Sequence, residues 1–152
     1  MECKDHSLIV HVAVLHHDSA LLVKYRDPSS FDDQTGWFLP NDSLKHAEHP
    51  DVGARRVLKE QLGIDNVSCS LSQIESFVGD NGSWHIVFDY VAIPNSKQLS
   101  KTESNLSKAE WFQIHKLPDA KEFAHNGWGR VVLVKLAKIP QVQPVKTMDL
   151  ER

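Results

Sequence analysis

At 152 residues, with 41% apolar and 24% charged side chains, the chain has the size and make-up of one globular domain that buries its core without covalent staples. A formal charge of −3 offers no basic stripe, so polymeric nucleic acid is excluded as an expected partner. Cys3 and Cys69 have no disulfide or metal spacing, and the polar start Met1–His6 leads into no signal-type or membrane-spanning stretch, so a cytoplasmic protein with no membrane contact is expected.

Leu8–Leu15 is rich in Val, Ile and Leu and predicts a buried strand; a turn at His16–Ser19 returns the chain as a second strand, Ala20–Tyr25. Arg26–Gly36 holds Pro28 and several polar residues and reads as a loop, and Trp37–Leu39 reads as a short strand stopped by Pro40. Asn41–His49 is polar without a period. Pro50 marks a helix start, and Asp51–Leu62 carries apolar residues at Val52, Ala54, Val57, Leu58 and Leu62, with Gly63 in the position that ends a helix. Two strands, Val67–Val78 and Trp84–Ile93, flank the turn Gly79-Asp80-Asn81-Gly82. Asn95–Ser107 reads as a polar loop, Ala109–Ile114 as a strand and Gly129–Lys138 as a last helix. The expected domain spans residues 1–139, followed by a loosely held tail over 140–152. No internal repeat is visible.

The most informative stretch is Phe38-Leu39-Pro40 followed by Glu48, Arg56, Glu60 and Gly63-Ile64. Its order and gapless spacing resemble the Nudix box, in which a Gly is followed by a Glu, then by Arg-Glu, a Glu-Glu pair, and a closing Gly with an apolar residue. On this chain those positions fall at Asp42, Glu48, Arg56-Val57, Glu60-Gln61 and Gly63-Ile64. Ala109-Glu110-Trp111-Phe112 ahead of Leu117-Pro118 resembles a second stretch of that family, and the likeness spans residues 7–138. It implies an α/β fold, a Nudix-type α/β/α sandwich with a mixed central β-sheet in a single domain. It also implies hydrolysis of a nucleoside diphosphate linked to another group, with Mg²⁺ or Mn²⁺, and a possible homodimer.

Carboxylates spaced i, i+3 and i+4 on a helix share one face, and three of them suit a hard oxygen-loving ion that keeps sites for water and phosphate. Here those positions are Val57, Glu60 and Gln61. Glu60 alone is a charged ligand, Gln61 keeps a neutral carbonyl oxygen, and Val57 offers nothing. The expected metal set is therefore Glu60, Glu48 and Gln61, with Glu60 and Arg56 as catalytic residues; Asp42, Asp89 and Glu103 are further acids open to recruitment. The competing roles are structural: Arg56 orienting Glu60 or a loop carbonyl, and Glu48 capping the loop. His46 and His49 read as surface residues. Among the aromatics, Tyr25 and Trp37 suit a core, whereas Phe31 and Trp84 are the expected substrate contacts, together with Glu103. Asn41 and Asp42 replace glycine where a left-handed backbone is wanted, and both tolerate it. Two functions follow: a pyrophosphohydrolase weakened by its incomplete box, or an inert Nudix-fold module that binds a nucleotide-like small molecule or a protein.

Overall fold

Strand β1 (His6–His16) sends alternate side chains to opposite faces of the sheet, and both faces are covered. Val10, Val12 and Val14 pack with Val57, Leu58 and Leu62 on one side. Ala13 and Leu15 pack with Val132 and Leu133 on the other. This double burial is why the strand reads as a continuous apolar run. The computed structural model describes residues 5–79, 82–100 and 105–138. After β1 come β2 (Ser19–Tyr25), β3 (Asn41–Ser43), α1 (Pro50–Leu62), β4 (Cys69–Val78), β5 (Trp84–Ala92), β6 (Leu106–Gln113) and α2 (Trp128–Ala137). The sheet order is β4-β5-β1-β2-β6, with β3 also beside β1. β1 and β5 run parallel and the other pairs antiparallel, so the sheet is mixed, with α1 on one face and α2 on the other. Among the described residues no helix is long and apolar enough to cross a membrane.

β1 and β2 pair only at Leu15↔Ala20 and His16↔Ser19 and splay apart beyond that point. The chain after the first loop threads into the gap. Phe38 exchanges backbone hydrogen bonds with Val23, and the Val12 N–H donates to the Pro40 carbonyl at 2.9 Å. The expected strand Trp37–Leu39 is therefore two single bridges, Val23↔Phe38 and Trp37↔Phe123, instead of a ladder. Strand β3 follows at once, in a polar stretch that carried no strand signal.

Helix α1 has the ends that its sequence promised. His49 caps it, its Nδ1 accepting from the Asp51 N–H at 3.1 Å, and Pro50 occupies the first turn. Gly63 ends it with φ of 65°, and its N–H returns to the Leu58 and Lys59 carbonyls. β4 starts two residues later than Val67, and β6 starts at Leu106, inside the stretch read as loop. Glu103 and the tail over 140–152 lie outside the described residues.

Candidate functional site

Arg56 lies on the α1 face that looks toward the loop after β3, and each of its five N–H groups has an acceptor. Nε and Nη2 grip the two oxygens of Glu48 at 2.8 and 2.9 Å. Nη1 donates to Asp42 at 2.9 Å and to Glu60 at 3.5 Å, and Nη2 also donates to the Ser43 carbonyl at 3.0 Å. The Arg56 and Glu48 side chains are only 11% and 9% exposed, so this is a half-enclosed, bidentate pair. The guanidinium hydrogen bonds hold the Glu48 carboxyl below its usual range, and those to Glu48 and then Asp42 keep Arg56 firmly ionised. Glu48 also accepts from the Lys45 N–H, which fixes the loop ahead of the helix.

The other box positions are occupied differently from what a metal needs. Val57 is 1% exposed and belongs to the core beneath α1. Gln61 spans two neighbours: its Nε2 donates to the Asn41 carbonyl at 2.9 Å, and its Oε1 accepts from the Tyr25 hydroxyl at 2.9 Å. Tyr25 also takes the Asn41 N–H at 3.0 Å, and burial keeps its hydroxyl protonated. The expected ligand oxygen of Gln61 is thus already hydrogen-bonded, and its amide presents a donor to Asn41. Both Glu48 oxygens face Arg56. Glu60 alone projects outward, 57% exposed, with Lys45 at 4.0 Å. A neutral amide locked by two partners, a carboxylate clamped by a guanidinium and one outward acid do not form a Mg²⁺ donor set. Among the described residues no group of three or more His, Cys, Asp or Glu is arranged for a metal ion.

Asp89, one of the acids open to recruitment, lies elsewhere. It pairs across from His11 on the α2 side of the sheet, where Gln73 Nε2 donates to it at 2.9 Å. Trp84 is on β5, its Nε1 donating to Ser76 at 2.7 Å, and it contributes nothing to the cavity described next. Trp37 is in the core beneath α2, as its strand position suggested.

Beside the clamp, a cavity of about 390 Å³ opens between β1, the first loop and the residues leading into α2. Phe31, Phe38 and Trp128 supply aromatic walls, and His11, Asp32 and His125 polar ones. Phe31 is backed by Tyr25, the two rings stacked at 3.7 Å. His125 Nε2 stands 3.0 Å from Asp32 Oδ2 and joins segments far apart in the chain. Burial, helped by His125, lowers the His11 pKa to about 3, so that imidazole is neutral. Asp32, His125 and Asn126 all hold positive φ, at 56°, 52° and 54°, so both lips of the cavity are built from left-handed backbone. Of these lining residues the sequence singled out Phe31 as an expected contact and gave no signal for His11, Trp128, Asp32 or His125. Pairs of polar residues with positive φ have no signature in one sequence, and a Trp opening a short helix looks like core.

A mixed sheet between two helices, with an Arg-carboxylate clamp tying the strand-loop-helix to its side, defines an α/β sandwich. The chain belongs to the Nudix family, whose NUDIX domain model matches residues 6–133. Among solved structures it is similar to a MutT NUDIX hydrolase from Burkholderia pseudomallei, 20% identical, with a TM-score of 0.72 over 88% of this chain and 99% of that one. It is similar to a pyrophosphohydrolase from Bacillus subtilis, 20% identical, with a TM-score of 0.66 over 88% and 81%. The NUDIX domain of Shewanella oneidensis NrtR, solved with ADP ribose, is 18% identical, with a TM-score of 0.61 over 74% and 75%. Likeness at these identities speaks for the fold. No curated protein matches by sequence.

Proposed function

We propose that this Nudix domain binds a nucleotide-like small molecule in the cavity beside β1, and that its diphosphate hydrolysis is about 10²–10⁴-fold slower than that of a domain with a complete box, as follows from losing about 3–5 kcal/mol of metal stabilisation. The observation that carries this reading is Gln61, held between the Tyr25 hydroxyl and the Asn41 carbonyl where the box calls for a carboxylate. Val57 adds to it, because a core position supplies no ligand. Neighbours of the same fold named as hydrolases, and one solved with ADP ribose, support a nucleoside diphosphate linked to another group as the ligand class.

A second reading, a divergent pyrophosphohydrolase that still turns over, is favoured by Glu60, which keeps an outward carboxylate on α1. In that reading Glu60 and Arg56 are the residues on which activity depends, and Glu103 is a further acid. The experiment is nucleoside monophosphate formation from nucleoside diphosphate sugars, dinucleoside polyphosphates and nucleoside triphosphates with Mg²⁺ and then Mn²⁺. Wild type runs beside Glu60→Gln. Slow turnover, about 10²–10⁴-fold below that of a domain with a complete box and alike in wild type and Glu60→Gln, is the expected result. Metal-dependent turnover by wild type that Glu60→Gln abolishes overturns it in favour of the second reading.

A further inference from the structure

Among the described residues, no lysine or arginine lines the cavity, and its one acidic residue is Asp32. The guanidinium of the clamp, Arg56, has no N–H left to offer, because Glu48, Asp42, Glu60 and the Ser43 carbonyl take all five. Ser43 forms part of the cavity wall, so a ligand leaving the cavity on that side meets the clamp. There Asp42, Glu48 and Glu60 outnumber Arg56 and Lys45. His11 is held neutral by burial, and His125 already faces Asp32. Among the described residues of this wall an anion meets no lysine or arginine to offset its charge.

The same walls suit a flat uncharged ring. Phe31 is fixed by its stack on Tyr25, and Trp128 is held edge-on to His11 with ring centres 4.4 Å apart. His11 adds its ring to the wall, while its Nδ1 is buried and lies 3.7 Å from Asp89. At about 390 Å³ the cavity falls near the lower end of the roughly 300–1,000 Å³ common for small-molecule sites. That is room for one ring system with its sugar, and short of what two linked nucleosides need.

We infer that the cavity recognises the uncharged half of its ligand, a nucleobase or nucleoside, and that phosphate groups add nothing to affinity. The inference rests on the small-molecule reading above and narrows it. It sets this domain apart from a site that holds its substrate by the diphosphate.

The test is titration calorimetry of the full chain with adenosine, guanosine, cytidine and uridine and with the mono- and diphosphate of each. No metal is added, and each titration is repeated at low and high salt. The expected result is that at least one nucleoside binds, that its diphosphate binds no more than about twofold tighter, and that high salt leaves the nucleoside unchanged and does not weaken the diphosphate. Asp32→Asn, whose new side chain tolerates the left-handed backbone, is expected to tighten the diphosphate relative to the nucleoside by about threefold. A diphosphate that binds about tenfold or more tighter than its nucleoside, and loses that advantage in high salt, overturns the inference while the nucleotide reading stands. An unchanged ratio in Asp32→Asn also counts against it. If no member of the panel binds, the inference and the nucleotide reading fall together.

Discussion

The Arg56 guanidinium holds the box segment in shape. It ties α1 to the loop through Glu48 and Asp42 and to β3 through the Ser43 carbonyl. Removing it uncovers part of Glu48 and leaves it a single Lys45 N–H as partner. An uncompensated buried charge costs about 3–5 kcal/mol, and the edge exposure here brings that down to about 2–3 kcal/mol. Arg56→Ala should lose that much in urea unfolding at pH 7. The sign of its pH dependence follows from Glu48, whose folded pKa lies below the ordinary 4.5 because Arg56 donates to it. The contribution is whole above pH 4.5 and fades as pH falls through the lowered value. The deficit of Arg56→Ala against wild type should therefore shrink as the pH falls below 4.5. A deficit unchanged by acid would mean that Arg56 acts through packing alone.

At the scale of elements, α1 was readable because both of its ends are local: Pro50 opens it and Gly63 closes it in a left-handed turn. A Cβ on Gly63 would also clash with the Ser100 Cβ, so two effects add there. Gly82 has a comparable φ of 80° and open space around it, which isolates the conformational cost. Gly63→Ala should lower stability by about 2 kcal/mol, or roughly 4–8 °C in Tm, and Gly82→Ala by about 1 kcal/mol. Equal losses in the two variants would show that Ser100 moves aside freely. β1 and β2 were equally legible, from apolar runs buried on both faces. β3 was not, because Asn-Asp-Ser has no strand preference and pairs only since β1 and β2 splay beside it. The same tertiary dependence hid the site. Arg56, Glu48 and Phe31 could be picked out from type and spacing. The engagement of Gln61 by Tyr25, 36 residues away, and the meeting of Asp32 with His125 exist only once the sheet has formed.

Across the whole molecule, one buried polar group joins β1, β4, β5 and α2. Gln73 donates to Asp89 and accepts from Lys135, Trp128 donates to Glu75, and His11 lies 3.7 Å from Asp89. Burial, and then the neighbouring Glu75, raise Asp89 from 3.8 to about 8. Burial, and then His125, lower His11 from 6.5 to about 3. The two act in opposite directions. Between pH 3.8 and 8 the unfolded chain ionises Asp89 while the fold keeps it protonated, so stability falls as pH rises. Between pH 6.5 and 3 the unfolded chain protonates His11 while the fold keeps it neutral, so stability falls as pH drops. Where the windows overlap, the slopes oppose one another; above pH 6.5 only the Asp89 slope remains. Urea unfolding should show stability falling by about 1–2 kcal/mol between pH 6.5 and 8 in wild type and staying level in Asp89→Asn. Below pH 6.5 the variant, freed of the opposing slope, should lose stability more steeply on acidification than wild type does. If Asp89→Asn kept the wild-type decline above pH 6.5, Asp89 would be ionised in the fold, and the contacts joining α2 to the sheet would carry a charge that the present arrangement leaves unpaired.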